Sequence, residues 1–244
     1  MNDDGIFDES IAANYDRIHG GSDTELVQLT VDTLSELAAD GSALEFAIGT
    51  GRIALPLHDL GVRVKGIELS KAMAAELRKK ENGAAIDVKI GDMKTARVEG
   101  KFSLVFLVYN TIDNLTSQDA QVECFQNASL HLEPGGRFLV ETLVPPIQKV
   151  SFGETMLAYD CSSDYWGTDE FDITTQRYTS HHIRMENGSC KQLSVPFRYA
   201  WPSELDLMAR IAGLELEYRW ADWRRSPFTR FSAGHISVWR KSTE

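Results

Sequence analysis

The sequence predicts an α/β fold: a mostly parallel sheet covered by helices on both faces, with an antiparallel β insertion after the fifth strand and an antiparallel last strand. Three observations carry this. Short apolar segments alternate with segments of helical periodicity between residues 23 and 143. Several of those segments, FSLVFLVYN at 102–110 above all, are apolar at consecutive positions, as strands buried on both faces must be. Beyond Val144-Pro145-Pro146 the pattern changes to alternating segments, ITTQRYTSHHIRM and CKQLSVPFRYAW, joined by Glu186-Asn187-Gly188-Ser189, a strong hairpin signal.

Each element follows from local chemistry. Residues 23–39 place Leu26, Leu29, Leu34 and Leu37 near helical spacing, with Asp23 as a cap and Gly41 as a stop. A short strand, ALEFAI at 43–48, runs into a glycine loop, and a helix follows over 53–60. VRVKGIEL (62–69) reads as the second strand, and KAMAAELRKK (71–80) as a helix of strong formers with basic residues in its last turn. Next come strand segments at 85–93 and 102–110, a helix over 119–132, and a strand at 135–143. A helix over 203–212 stops at Gly213, and LELEYRWADW and GHISVWRK supply the last two strands.

Composition narrows the function. In 244 residues, 36 acidic side chains against 25 basic ones give a formal charge of −11, without any basic tract. Such a surface repels polyanions, which counts against nucleic acid. Cys124, Cys161 and Cys190 are far apart and form no Cys-x-x-Cys pair, which suits a reducing compartment and no zinc. The acidic start MNDDGIFDES is unlike a signal peptide, and no run of about 18 apolar residues occurs, so a cytoplasmic protein without a membrane partner is expected.

The chemistry centres on LEFAIGTGR at 44–52. Glycines at the carboxyl end of a strand let backbone approach a ligand closely, and the next helix offers free N–H groups. A dinucleotide fingerprint would need a third glycine, whereas Gly49 and Gly51 are followed by Ile53-Ala54. Three acids sharpen the reading. Glu45 lies in the first strand, Glu68 ends the second and Asp92 ends the third, so all three can meet one ligand along the same sheet edge, with Glu68 suited to a ribose diol. Acidic surroundings favour a cationic, ribose-bearing ligand without phosphate.

With these residues the sequence resembles the class I S-adenosylmethionine-dependent methyltransferases and their Rossmann-like sheet. EFAIGTGR (45–52), GIELS (66–70), GDM (91–93), FSLVFLVYNTIDNL (102–115) and LEPGGRFLVE (132–141) stand in the family's order, and Ala47 replaces its first glycine. The resemblance implies S-adenosylmethionine as cofactor. Gly49, Thr50 and Gly51 would pass beneath its methionine part, with Glu45, Ala47 and Arg52 in the same motif. Glu68 would bind the ribose, with Leu69 beside it; Met73 would cover the adenine, Asp92 would accept its amino group and Met93 would flank it. Tyr109 would border the methyl, and Tyr15, in ANYD, would lie over the sulfonium and carboxylate end. Core packing is the alternative for Met73 and Tyr109. One domain is expected: a helical lid at 1–40, a donor-binding core at 41–145, an insertion over the acceptor site at 146–201, and the last helix and strands at 202–244.

Methyl transfer is an in-line displacement that depends largely on alignment, so a base is needed only if the acceptor must lose a proton. The acceptor pocket is expected beneath residues 14–22, 109–115 and 146–201, which supply Tyr159, Tyr165, Trp166, Tyr178, Tyr199 and Trp201. The catalytic candidates are His182, Asp113 and Tyr15. If the hairpin is symmetric about Asn187-Gly188, His182 lies opposite Leu193, Ser180 opposite Val195 and Tyr178 opposite Phe197, placing His182 on the apolar face. Asp113 has a helix cap as its alternative role. Asp92, Asp113 and Asn114 are similar in type to the acidic cluster of metal-dependent catechol methyltransferases, but their spacing differs, and no metal is expected.

In layout the chain resembles small tailoring methyltransferases of antibiotic biosynthesis, acting on aminosugars and peptide natural products. That implies a small-molecule acceptor and a monomer or homodimer. It leaves N, O, C and S acceptors open. A nucleic-acid methyltransferase is opposed by the charge and by Tyr109-Asn110-Thr111-Ile112 where Asn/Asp-Pro-Pro-Tyr would stand. A nicotinamide dehydrogenase is opposed by the missing glycine. A non-catalytic S-adenosylmethionine-binding subunit is the remaining alternative.

Overall fold

The computed structural model describes residues 6–19, 24–186 and 188–243. The expected cap Asp23, residues 20–22 of the pocket roof and Asn187 of the hairpin signal lie outside them. In chain order the elements are α1 (Glu9–His19), α2 (Thr24–Ala38), β1 (Ser42–Phe46), α3 (Ala54–Asp59), β2 (Arg63–Glu68), α4 (Lys71–Lys79), β3 (Asp87–Ile90), β4 (Phe102–Leu107), α5 (Gln118–His131) and β5 (Leu132–Leu143). Then follow β6 (Met156–Cys161), β7 (Tyr165–Asp172), β8 (Arg177–Glu186), β9 (Ser189–Arg198), α6 (Pro202–Ile211), β10 (Leu214–Trp220) and β11 (Gly234–Lys241).

Among the described residues, seven strands form one sheet in the order β10-β11-β5-β4-β1-β2-β3. β1 to β5 pair in parallel, and β11 is antiparallel to both neighbours. The chain starts the sheet in the middle and winds outward both ways, which leaves a crevice at the carboxyl ends of β1 and β4. From Leu104 on, alternate residues of β4 serve the two faces, and a register shift between Phe102 and Leu104 sets Phe102 apart from that alternation. Phe102, Val105 and Leu107 join a core with Phe125 and Ala128 of α5 and Leu205 and Met208 of α6. Leu104 and Phe106 join a second core with Val31 and Leu34 of α2 and Leu57 of α3. Coverage on both faces accounts for the unbroken apolar run in this strand.

Residues between β5 and α6 form a separate four-stranded antiparallel sheet, β6-β7-β8-β9. The β8–β9 register is the one the symmetric hairpin predicts, with Tyr178 opposite Phe197, Ser180 opposite Val195 and His182 opposite Leu193. A small core of Phe171, Tyr178 and Tyr199 holds one end of this sheet. Arg198, 4% exposed, fastens that end by donating to Gln121 of α5 and, at 2.7 Å, to Glu204 of α6. No helix among the described residues is long and apolar enough to cross a membrane.

Two helix starts carry serine caps: Ser70 accepts from the Met73 amide, and Ser117 from the Ala120 amide. Among the described left-handed glycines, Gly51 has the least room. Its φ of +78° is left-handed, and a Cβ there would lie 2.5 Å from Cδ1 of the fully buried Leu77. Gly51→Ala is therefore expected to cost about 2 kcal/mol or more of stability, measured as a fall in the urea midpoint at unchanged slope.

Candidate functional site

β1 ends at Phe46, and the chain turns through three left-handed residues, Ala47, Gly49 and Gly51. The loop is held by one carboxylate. Glu68, at the end of β2 and 5% exposed, accepts the Gly49 amide on Oε2 at 2.7 Å and the Ser70 amide on Oε1 at 2.8 Å. Burial raises its pKa, and the Ser70, Gly49 and Leu69 amides partly offset that rise.

Glu45 lies beside the loop and is 4% exposed. Burial pushes its carboxyl well above the usual range; Arg52 pulls it down, Glu68 pushes it up, and the Ala54 amide lowers it. Its Oε2 is buried with no hydrogen-bond partner among the described residues. A carboxylate oxygen of this kind is costly unless a cation or donor meets it.

α1 forms the ceiling. Asp16 accepts from the Thr50 hydroxyl at 2.6 Å and pairs with Lys80 Nζ at 2.6 Å, while Lys80 also donates to the Thr50 carbonyl at 2.7 Å. The Ser70 hydroxyl donates to the Phe7 carbonyl at 2.6 Å. These bonds set Tyr15 over the loop. Its pKa is pushed up to about 12, by burial first and then by Tyr109, with Arg52 opposing. Near neutral pH Tyr15 therefore keeps its proton.

The remaining wall is Tyr109, just past β4. Tyr109 (φ 62°) and Asn110 (φ 56°) are consecutive non-glycine residues in the left-handed region, each costing about 1–2 kcal/mol. The Arg52 guanidinium lies 4.6 Å from the Tyr109 ring centroid. The resulting cleft is lined by Tyr15, Glu45, Ala47, Ile48, Gly49, Thr50, Arg52, Ile53, Val108, Tyr109 and Thr111.

Ile48, Ile53 and Val108 were not expected among the site residues, and Thr111 was expected only within the pocket roof at 109–115. Their only signal is adjacency to motif residues. Gly51 of the loop, Glu68 and Leu69 at the end of β2, Met73 of α4, and Asp92 and Met93 just past β3 lie outside this lining. Leu69 is exposed, while Met73 is buried with Cε 3.4 Å from where a Gly49 Cβ would stand. Met93 is packed into the core with Phe46. Asp92 accepts the Lys94 amide at 3.0 Å, with Lys94 Nζ at 3.6 Å.

Asp113 and His182 occupy different places. Asp113, 1% exposed, sits inside the short turn Thr111–Asn114, so it is not a helix cap. It accepts from the Thr142 hydroxyl at 3.3 Å and the Tyr178 hydroxyl at 3.1 Å, which fastens β8 to β5. Tyr178 was expected only as one ring of the insertion. Its link to Asp113 had no sequence signal, because the two are 65 positions apart. His182 Nδ1 lies 3.0 Å from the Tyr159 hydroxyl and 2.7 Å from that of Tyr165. Burial, Arg184 and His181 lower its pKa, in that order, so the imidazole is neutral near pH 7. Its bonds are to insertion residues and not to the lining of the cleft.

Residues 43–136 match a family model described as a methyltransferase domain. The structure of the CcbJ methyltransferase from Streptomyces caelestis is 35% identical, with a TM-score of 0.87 over 98% of this chain and 99% of that one. A cypemycin N-terminal methyltransferase from a Streptomyces species is 24% identical over 98% of both chains. A dTDP-3-amino-3,6-dideoxy-α-D-glucopyranose N,N-dimethyltransferase from Streptomyces fradiae is 27% identical over 93% of this chain and 84% of its own.

The Asp113 carboxyl gives a pH-dependent outcome. Burial raises it to about 7 from 3.8, with Tyr178, Thr142 and Arg198 opposing the rise. The folded state then holds a proton that the unfolded state has lost, so this group's contribution falls as pH rises from about 4 to about 7. Asp113→Asn is neutral throughout. Its stability relative to the parent is expected to improve by on the order of 3 kcal/mol between pH 4.5 and pH 8, read from urea unfolding at both pH values.

Proposed function

The chain belongs to the S-adenosylmethionine-dependent methyltransferases, and we propose that it methylates an amine of a small natural-product acceptor. S-adenosylmethionine is its methyl donor. The observation that carries the site reading is the buried, unpartnered Glu45 oxygen beside a left-handed glycine loop. An ammonium satisfies that oxygen, and the loop admits a ligand where side chains would block it. One relative's name places its methylation at an N-terminus and another's denotes N,N-dimethylation of an amino sugar, which supports an amine acceptor.

Bound S-adenosylmethionine supplies a methyl carried by a sulfonium, which an acceptor lone pair displaces in line while the S–C bonding electrons return to sulfur. The protein's task is alignment and exclusion of water. Glu45 would meet the α-ammonium and Arg52 the carboxylate. Gly49, Thr50 and Gly51 would run beneath the methionine part. Glu68 would bind the ribose hydroxyls. Asp92 would accept the adenine amino group, with Leu69, Met73 and Met93 around the ring. Tyr15, protonated, would donate over the donor's charged end, and Tyr109 would bound the space where the methyl departs. A neutral amine attacks without prior deprotonation, so neither His182 nor Asp113 has to remove a proton before transfer. His182 and the insertion's rings belong to the acceptor side in this reading.

Isothermal titration with S-adenosylmethionine, with NAD as control, tests the donor site. Micromolar binding of the sulfonium alone is expected, and Glu68→Ala and Asp92→Ala should each weaken it at least tenfold. Wild-type affinity in both variants would overturn the assignment of these acids. For the acceptor, amino sugars and peptides with free N-termini are incubated with enzyme and donor. Mass spectrometry is expected to show an added methyl group on nitrogen, and transfer confined to oxygen acceptors would reject the amine reading.

A further inference from the structure

The strained turn after β4 is held by a residue outside the cleft. Glu141, near the end of β5, accepts the Tyr109 amide on Oε2 at 2.8 Å. Its backbone carbonyl accepts the Asn110 amide at 3.2 Å. The other carboxylate oxygen, Oε1, accepts the indole N–H of Trp223 at 2.7 Å. Trp223 is 4% exposed and packed into the core on the α2 face of the sheet. The Glu141 side chain thus links the Tyr109 amide to Trp223 in the α2-face core, while its backbone carbonyl holds Asn110.

The arrangement exceeds what a turn needs. A single backbone bond would close it, yet a carboxylate is spent on the Tyr109 amide, and charge-assisted bonds are the stronger kind. Tyr109 is also the residue whose ring, 44% exposed, faces the Arg52 guanidinium across the cleft. The carboxylate bond opposes a return of Tyr109 to ordinary backbone conformation, which would carry the ring away from the wall. We propose that Glu141 is a positioning residue for methyl transfer, acting through the Tyr109 backbone to hold that ring at the donor. This rests on the placement of Tyr109 at the donor site argued above.

The test is a double-mutant cycle read by calorimetric titration with S-adenosylmethionine and S-adenosylhomocysteine. Glu141→Leu removes both acceptors at similar size, and Tyr109→Ala removes the ring. Each is expected to weaken donor binding about tenfold, and the double variant also about tenfold, because both remove one function. An additive, hundredfold loss in the double variant would make Glu141 a separate structural support and overturn the proposal. So would wild-type affinity in Glu141→Leu while Tyr109→Ala is weakened. If Glu141→Leu does not fold, Glu141→Gln keeps the shape with one acceptor, and a loss of several-fold is expected, again absent in the Tyr109→Ala background. A Tyr109→Ala protein that binds the donor normally would instead displace Tyr109 from the donor site, a failure of the underlying reading that the single variant reveals.

Discussion

Two hydrogen bonds to one buried carboxylate set the geometry on which the rest of this site depends. Glu68 takes the Gly49 amide with one oxygen and the Ser70 amide with the other. The first bond fixes the glycine loop after β1. The second fixes the residue that caps α4. Two separate βα connections are thereby locked to each other at the edge of the sheet. Position 68 can do this only because β1 and β2 are parallel neighbours, with Phe46 paired to Ile67, so that their ends emerge side by side. Parallel pairing in turn requires both faces of the sheet to be covered by crossover helices. Fold and site are in this respect one problem.

Much of the architecture was legible because it rests on local rules. Strands buried on both faces read as unbroken apolar runs, the β8–β9 register followed from the hairpin's symmetry, and the glycine loop announced itself by residue type. The residues proposed for the donor side sit in short motifs at strand ends, and topology brings those ends together. What was not legible depends on partners far apart in sequence. The Asp113–Tyr178 clasp, the Asp16–Thr50–Lys80 bonds and the Glu141–Tyr109–Trp223 bridge each join segments that carry no mark of one another. An aspartate in a turn looks like a cap until the tyrosine that meets it is located.

The buried carboxyls illustrate how one residue type takes different tasks here. Among the described residues Glu45 keeps an oxygen without a partner, Glu68 spends both oxygens on amides, and Asp113 spends both on hydroxyls. Burial raises all three, yet only the first leaves a vacant acceptor facing a cleft. Composition and predicted burial do not separate these cases. The distinction is made by what the neighbouring backbone offers.

The insertion sheet is anchored at one end, through Tyr178 to Asp113 and through Arg198 to Gln121 and Glu204, around its own small core of Phe171, Tyr178 and Tyr199. Its other end, with Tyr159, Tyr165 and His182, makes hydrogen bonds within the insertion. Mechanically it is a cantilever: load is borne at the root, and the hydrogen bonds described for Tyr159, Tyr165 and His182 stay within the insertion. On the proposed reading, in which the tip belongs to the acceptor side, such a layout lets selection rewrite what is accepted without renegotiating how the donor is held.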